Sequence, residues 1–302
     1  MQRLRQRALI LQAVRNFFIS REFLEVQTPV LVSTLAPEPY IEAIEVPLGK
    51  GDSLYLITSP ELNLKRLLAK GFEHIFQITP AFRKNECGTK HLTEFTLLEW
   101  YSVYKDYVWL MECCEELLRN AAKVAGNWPV IEYGGMKIRL DRPFYRISVQ
   151  EAFIQWAGWD PVANYDADRF DLDMVEKVEP HLLMNRPVFL YDYPAQCAAL
   201  ARRSSKDIRV AERVELYAGG LELANGFSEL TDVKEQIQRF QEDMERMSAM
   251  GRRPYPWPAA FLNSLELLPD CAGMAMGVDR LVMLLTDARV IDEVVAFPFK
   301  GV

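Results

Sequence analysis

Cysteine is scarce in this 302-residue chain, and its few cysteines follow no pairing pattern. They are Cys87, Cys113, Cys114, Cys197 and Cys271, an odd number without a CxxC pair. The sequence therefore indicates neither a disulfide framework nor a cysteine-rich zinc site. Free thiols fit a reducing compartment, so we expect the chain to work in the cytoplasm.

Long apolar runs are also missing from the sequence. No window approaches the roughly 20 apolar residues that a membrane-spanning helix requires. Arg3, Arg5 and Arg7 precede an apolar stretch and could mimic the start of a signal peptide. However, Gln12 and Arg15 interrupt that stretch, and no small-residue cleavage site follows. We therefore expect no membrane partner.

Positive charge is in deficit, with 35 Lys and Arg against 42 Asp and Glu and a formal net charge of −7. Proteins that hold nucleic acids usually concentrate basic residues, because phosphate neutralisation dominates that affinity. The short basic clusters at 202–203 and 252–253 are better explained as solvated loops, so the composition does not favour tRNA as a partner. Half of the residues are hydrophobic, which suffices for one large domain, with or without an insertion.

Two runs of alternating apolar and polar residues, at 74–82 and 95–101, flank the polar loop 84–90. This pattern predicts an antiparallel hairpin with a long loop. An arginine, a carboxylate and two aromatic rings on this hairpin suit an anion clamp beside a stacking surface. The alternative is an amphipathic hairpin whose polar face is merely hydrated. The residues concerned are Arg83, Phe95, Glu99 and Tyr101.

A short apolar strand at 54–58 is predicted to lead into a helix at 62–70. Pro60 suits the first helical turn, Glu61 the positive end of the helix, and Gly71 its termination. Helix-end electrostatics alone would justify Glu61.

The remaining periodic segments are consistent with one α+β domain spanning residues 1–302. We expect a helical insertion around 145–195, for which the sequence suggests no function. Helices are predicted at 2–19, 107–124, 147–156, 167–183 and 233–248, a short hairpin around Gly134-Gly135, and a strand at 187–193.

Strand-like runs flank the turn signal Ala218-Gly219-Gly220. A chain that reverses there would bring Glu215 and Glu222 roughly opposite each other. Opposed like charges destabilise a sheet, unless a divalent cation such as Mg²⁺ lies between them. The alternative is two exposed glutamates on a hydrated hairpin.

Two further segments carry residues suited to binding charged ligands. Glu229 follows Asn225 in an apolar segment, where a carboxylate would recognise an ammonium group. In the run 273–286, GMAMGVDRLVMLLT, the glycines Gly273 and Gly277 permit close approach of a ligand. Asp279 is predicted to cap the following helix. The neighbouring arginine, Arg280, opposes the helix dipole and is better explained by a bound anion.

Three of these stretches resemble the motifs of class II aminoacyl-tRNA synthetases in their lysyl form. The N-terminal helix, the strand after it and Pro29 resemble motif 1. The run FRKNECGTKHLTEFTLLEWY resembles motif 2, and GMAMGVDRLVMLLT resembles motif 3. The resemblance implies an α+β fold with an antiparallel sheet flanked by helices, and a homodimer formed through motif 1.

The resemblance also implies roles for individual residues, with Arg83 and Arg280 as the catalytic pair that contacts the phosphates. Because the motif-2 glutamate stands one residue later than usual, either Asn85 or Glu86 could contact adenine. The implied ATP site comprises Arg83, Asn85, Glu86, His91, Leu92, Phe95, Glu222, Leu223, Gly277 and Arg280. The implied amino-acid site comprises Ser59, Glu61, Glu99, Tyr101, Asn225, Glu229 and Ala275, and the implied Mg²⁺ ligands are Glu215 and Glu222.

Within this class, the ending LEWY, the run ELANGF and Ala275 resemble the elongation factor P–(R)-β-lysine ligase family. Only about 20 residues precede motif 1, whereas the anticodon-binding barrel of lysyl-tRNA synthetases needs on the order of 100, so we expect none. The resemblance implies activation of β-lysine or α-lysine with ATP and transfer to a lysine of elongation factor P. The alternatives are a truncated lysyl-tRNA synthetase and an inactive regulatory paralogue.

Overall fold

The computed structural model describes residues 1–49 and 52–298. The strands are β1 (Leu24–Glu25), β2 (Leu31–Val32), β3 (Glu45–Gly49), β4 (Asp52–Leu56), β5 (His74–Phe82), β6 (Glu94–Val103), β7 (Val130–Tyr133), β8 (Met136–Arg139), β9 (Tyr145–Ser148), β10 (Val188–Pro194), β11 (Val210–Ala218), β12 (Leu221–Ser228) and β13 (Cys271–Gly277). The helices are α1 (Gln2–Ile19), α2 (Glu61–Leu68), α3 (Tyr107–Val124), α4 (Val149–Trp156), α5 (Ala167–Asp173), α6 (Val233–Ala249), α7 (Ala259–Leu265) and α8 (Val278–Leu285).

An eight-stranded sheet organises the domain, in the order β1-β5-β6-β13-β12-β11-β10-β9. Neighbouring strands are antiparallel, except for the parallel pairs β1–β5 and β9–β10 at its two edges. Smaller sheets are formed by β2, β4 and β3 and by β7 and β8. The predicted α+β architecture, with an antiparallel sheet flanked by helices, is confirmed.

The two faces of the main sheet carry separate apolar clusters. Trp100 of β6 packs in the cluster that includes residues of α1, α3 and α8. The next residue, Tyr101, packs in the cluster that includes residues of α2, α6 and α7. This division follows from the strand period of two, which points successive side chains to opposite faces. The face that carries Tyr101 is the face on which the candidate site lies.

The predicted helices at 2–19 and 107–124 and the hairpin of β5 and β6 are confirmed. The helix α2 begins at Glu61 rather than at residue 62, and Pro60 occupies the N-cap position. Gly134 and Gly135 form the turn between β7 and β8, as predicted. The turn at Gly219-Gly220 is also confirmed, with both glycines at positive φ.

The prediction of a helix over 147–156 is wrong at its first two residues. Ile147 and Ser148 belong to β9, which pairs in parallel with β10. The helix α4 starts only after Ser148, whose side chain accepts a hydrogen bond from the N–H of Glu151. The predicted helix at 167–183 is irregular, since a π-helical turn and a 3-10 turn containing Pro180 follow α5. The segment 145–195 thus combines helices with two strands of the main sheet.

The predicted opposition of Glu215 and Glu222 is wrong. Ala218 pairs with Leu221 across the two-glycine turn, which places Glu222 opposite Tyr217. A register irregularity between Leu216 and Tyr217 then places Glu215 opposite Asn225. The irregularity shifts the pairing by one residue, as a β-bulge does.

All five cysteines lie within the described ranges and are free thiols. Among the described residues, no helix combines the length and the apolar character needed to cross a membrane.

Candidate active site

A cavity of about 290 Å³ opens on the Tyr101 face of the main sheet. Its wall includes residues of β6, β12 and β13 together with the beginnings of α2 and α8. Most of the predicted site residues line it. They are Ser59, Glu61, Arg83, Glu86, His91, Leu92, Phe95, Glu99, Tyr101, Glu222, Leu223, Asn225, Ala275, Gly277 and Arg280. The predicted residues Asn85, Glu215 and Glu229 lie outside this wall.

Arg83 follows the end of β5 and places its guanidinium in the cavity. Its Nη1 lies 3.6 Å from Oε1 of Glu86, and its Cζ lies 5.1 Å from the centre of the Phe95 ring. Within the described part of the chain, its buried Nε has no hydrogen-bond partner. A buried guanidinium donor is costly without an acceptor, so the site is suited to an anion.

The structure separates the two candidates for adenine recognition. Asn85 adopts a left-handed conformation with φ of 66°, and its Nδ2 donates a hydrogen bond of 3.3 Å to Glu42. Glu86 is the residue that lines the cavity. The amide of Asn85 is therefore engaged by Glu42 outside the cavity, whereas the carboxylate of Glu86 borders it.

Arg280 lies in the first turn of α8, where Gly277 is the N-cap residue. Its Nη1 donates a 2.8 Å hydrogen bond to the backbone oxygen of Glu222, and its Nη2 contacts Nε2 of His91. Burial and the neighbouring Arg280 lower the pKa of His91. Because a guanidinium can only donate, Nε2 of His91 accepts the hydrogen bond that orients Arg280.

The prediction that Asp279 caps α8 is wrong. Its buried carboxylate forms a 2.5 Å ion pair with Arg7 and accepts a 2.7 Å hydrogen bond from the N–H of Thr96. Asp279 therefore connects α8 to α1 and β6, and it holds the helix that presents Arg280.

Glu215 lies behind the cavity wall and is held by three donors. Its carboxylate accepts hydrogen bonds from Arg213 at 2.7 Å, from Tyr193 at 2.5 Å and from Tyr217 at 2.7 Å. Glu222 lines the cavity, and desolvation together with the nearby charge of Glu215 raises its pKa to about 7. The two carboxylates remain neighbours despite the changed register.

These two carboxylates fit Mg²⁺ chemically, because that ion prefers oxygen ligands and is usually held by one or two carboxylates plus phosphates. In residues 1–49 and 52–298, no group of three or more His, Cys, Asp or Glu side chains could hold a metal ion. A cation here would therefore depend on further oxygens from a bound nucleotide.

The opposite end of the cavity is acidic. Glu99 is 1% exposed, and its Oε2 accepts a 2.8 Å hydrogen bond from the Tyr101 hydroxyl. Burial and the nearby Glu61 raise the pKa of Glu99 well above its usual value. Gly273 lies between Tyr101 and Phe227 across the sheet. A Cβ there would come within 2.1 Å of the Tyr101 ring and 2.5 Å of Oε1 of Glu229.

Glu229 is fully buried and forms an ion pair with Lys65, a residue that sequence reasoning missed. Lys65 also lies 2.5 Å from Oε1 of Glu61, one helical turn earlier. In the sequence, Lys65 follows Glu61 by four residues on the predicted helix, and this spacing, which is typical of an intrahelical ion pair, could have indicated Lys65. Glu38 was missed as well. It lines the cavity, and burial raises its pKa to about 7.

The cavity thus has two arginines at one end and buried carboxylates at the other, mounted on an antiparallel sheet. A family model described as tRNA synthetases class II (D, K and N) matches residues 1–301. The chain belongs to this family of class II synthetases.

Three curated relatives are similar to this chain over nearly its whole length. The chain is 38% identical to the elongation factor P–(R)-β-lysine ligase of Vibrio campbellii, over 99% of this chain and 96% of the relative. It is 37% identical to the ligase of the same name from Vibrio parahaemolyticus, with the same coverage. It is also 37% identical to that of Salmonella typhi, over 97% of this chain and 93% of the relative.

Proposed function

We propose that this chain is an ATP-dependent ligase that converts (R)-β-lysine to its adenylate and transfers the β-lysyl group to a lysine side chain of elongation factor P. The observation that carries the proposal is the polarity of the cavity, in which two arginines, Arg83 and Arg280, lie at one end and buried carboxyl groups at the other. The relatives bear the name of this activity and match nearly the whole chain.

The arginine end suits ATP. Arg83 and Arg280 are positioned to bind phosphate oxygens, and the ring of Phe95 offers a stacking surface for adenine. Glu86, which lines the same cavity, would accept a hydrogen bond from the adenine amino group. Glu222 would ligate Mg²⁺ directly, with Glu215 adding negative charge behind it. When bound with ATP, Mg²⁺ neutralises phosphate charge and orients the phosphates.

The acidic end suits an amino acid with two ammonium groups. Glu61, Glu99 and Glu229 gather at this end, Glu38 also lines the cavity, and Lys65 pairs with Glu61 and Glu229. The carboxyl groups that Lys65 leaves unpaired are suited to the two ammonium groups of lysine or β-lysine. A monoamino acid of the same length would leave one buried carboxylate uncompensated, which is costly.

The reaction needs no nucleophilic side chain from the enzyme. The substrate carboxylate attacks the α-phosphorus of ATP, the bond to the bridging oxygen breaks, and pyrophosphate leaves. The ε-amine of the acceptor lysine then attacks the acyl carbon, AMP leaves, and a proton is lost from the new amide nitrogen. Arg83 and Arg280 stabilise the charge on the phosphoryl group and align the carboxylate for in-line attack.

The partners and compartment follow from the same proposal. The acceptor is a protein lysine, and we expect no charging of tRNA.

The exposed apolar residues Leu24 and Leu31, on β1 and β2, fit a homodimer contact near motif 1. Light scattering would then give twice the chain mass of 34.8 kDa, whereas a monomer at micromolar concentration would refute it. The five free thiols fit the cytoplasm.

ATP–pyrophosphate exchange tests the activation step. (R)-β-lysine, L-α-lysine, 6-aminohexanoate and norleucine should be compared side by side, since the last two each lack one of the ammonium groups. We expect exchange with the two diamino acids, highest with β-lysine, and at least about 100-fold less with the other two. Robust charging of tRNA would favour a truncated tRNA synthetase, and absence of exchange with every amine would favour a regulatory paralogue.

A further inference from the structure

Lys65 is buried beneath the acidic end of the cavity, with 1% of its surface exposed. Its Nζ lies 2.5 Å from Oε1 of Glu61 and forms an ion pair with Oε2 of Glu229. The ring of Phe227, 5.5 Å from Nζ, closes the site on another side. Glu61 and Phe227 line the cavity, whereas Lys65 and Glu229 lie behind its wall.

We propose that Lys65 is a positioning residue for amine recognition, whose ammonium ties Glu61 to Glu229 and thereby fixes which of their carboxylate oxygens face the substrate. This inference rests on the proposed function. Lys65 itself is not expected to touch the substrate, because it is buried behind the wall and already bound to both carboxylates.

The contacts of Lys65 determine which oxygens can face a substrate. Lys65 engages Oε1 of Glu61 and Oε2 of Glu229, so the second oxygen of each carboxylate is the one that can accept from a bound ammonium. For Glu229 this is Oε1, which is buried, since Oε2 is the oxygen in the ion pair with Lys65. Oε1 lies under Gly273, beside the ring of Tyr101. A side chain at position 65 that bound neither carboxylate would leave Glu61 and Glu229 free to rotate, so their oxygens would no longer be held towards the substrate.

Lys65 also sets the electrostatics of the pocket. The ionisable groups facing it are Glu61 from its own helix, Glu229 at the end of β12, Glu99 of β6 and Cys271 of β13, with Tyr101 bonded to Glu99. Burial acts to raise the pKa of Glu229, and the Lys65 charge opposes that rise. Without the ammonium, the pKa values of Glu229 and Glu99 rise further, and a protonated carboxyl cannot attract a substrate ammonium.

Two substitutions test the proposal, Lys65→Met, which keeps nearly the same length without charge, and Lys65→Ala. We expect KM for the diamino acid in pyrophosphate exchange to rise about 10- to 100-fold, the loss expected for one charge-assisted hydrogen bond. KM for ATP and kcat should change little. The acid limb of kcat/KM should move to higher pH. Lys70, exposed just beyond the same helix, provides the matched control Lys70→Ala, which should behave as wild type.

Chemical rescue separates positioning from packing. Lys65→Ala removes the equivalent of propylammonium, so adding propylammonium should lower KM for the diamino acid, whereas 1-propanol should not. The same two additives are also tested on the wild-type enzyme, which controls for their competition with the amino acid in the cavity.

The outcomes distinguish this inference from the proposed function. If wild type activates diamino acids and both variants keep its KM and pH profile, the inference is wrong while the function stands. A uniform fall in kcat with unchanged KM, or equal rescue by 1-propanol, would indicate a packing role and also overturn it. If wild type activates no diamino acid, the proposed function fails and this inference fails with it.

Discussion

At the residue scale, Gly273 shapes the amine end of the cavity by having no side chain. Gly273→Ala would drive a methyl group into the Tyr101 ring and towards Glu229, and both neighbours are buried and fixed. We expect a loss of about 1–3 kcal/mol in the free energy of unfolding, as for overpacked cores, and a higher KM for the diamino acid. Urea unfolding measures the first effect. Gly88→Ala, where a Cβ meets open space, is the stability control. Equal stability of the two variants would contradict the account.

The choice between Asn85 and Glu86 is also a residue-scale prediction. Glu86→Ala should raise KM for ATP about tenfold, because it removes one hydrogen bond to a charged acceptor. Asn85→Ala should leave that KM within about twofold, since its amide is directed to Glu42. Steady-state exchange at varied ATP concentration measures both, and the reverse order would show that the earlier residue reads adenine.

The pKa of about 7 for Glu222 predicts a pH-dependent requirement for Mg²⁺. The carboxyl is increasingly protonated as the pH falls below that value, and a protonated carboxyl is a poor ligand. The Mg²⁺ concentration that gives half-maximal exchange should therefore rise as the pH is lowered from 8 to 6. In Glu222→Gln it should be high at both values. A wild-type requirement that is the same at pH 6 and pH 8 would argue against Glu222 as a ligand.

At the element scale, the Arg7–Asp279 ion pair joins α1 to α8, and Asp279 also binds β6. The Asp279 side chain is 3% exposed and that of Arg7 15%. Asp279→Ala leaves a largely buried guanidinium without its partner and should cost about 3 kcal/mol of unfolding free energy. The exposed pair of Arg3 and Glu293 gives the control, since Glu293→Ala should cost less than about 1 kcal/mol. Similar losses in the two variants would contradict the distinction.

The sequence could predict those elements whose pattern is local. The helix α3, the hairpin β5–β6 and the glycine turn after β11 each follow from apolar spacing or turn residues. The assignment failed where a distant segment decided the structure. Ile147 is in a strand because β10 lies beside it, and Asp279 does not cap its helix because Arg7 and Thr96 bind it. The pairing of Ala218 with Leu221 across the two-glycine turn already places Glu222 opposite Tyr217, and the irregularity beyond it places Glu215 opposite Asn225.

At the scale of the whole molecule, the sheet assembles the site from segments far apart in the chain. The order β6-β13-β12-β11 places motif 2, motif 3 and the glutamates Glu215 and Glu222 on adjacent strands. The resemblance to the synthetase motifs predicted most of the residues that line the cavity, because the motif segments include strands of its wall. It did not predict that Lys65 and Glu38 would join the site, since their roles arise from burial beside other charges. The carboxyl groups around Lys65 also explain why the proposed substrate is a diamino acid and not a monoamino acid.

The most direct test of the central claim is transfer of the activated amino acid to a protein. The enzyme should be incubated with ATP, Mg²⁺, (R)-β-lysine and elongation factor P, and the factor analysed by intact-mass and peptide mass spectrometry. The account predicts one β-lysyl group per factor, on a lysine side chain, with release of AMP. The addition should be absent without ATP and in Arg280→Ala. An unmodified factor in a reaction that performs vigorous pyrophosphate exchange would contradict the account and point to a different acceptor.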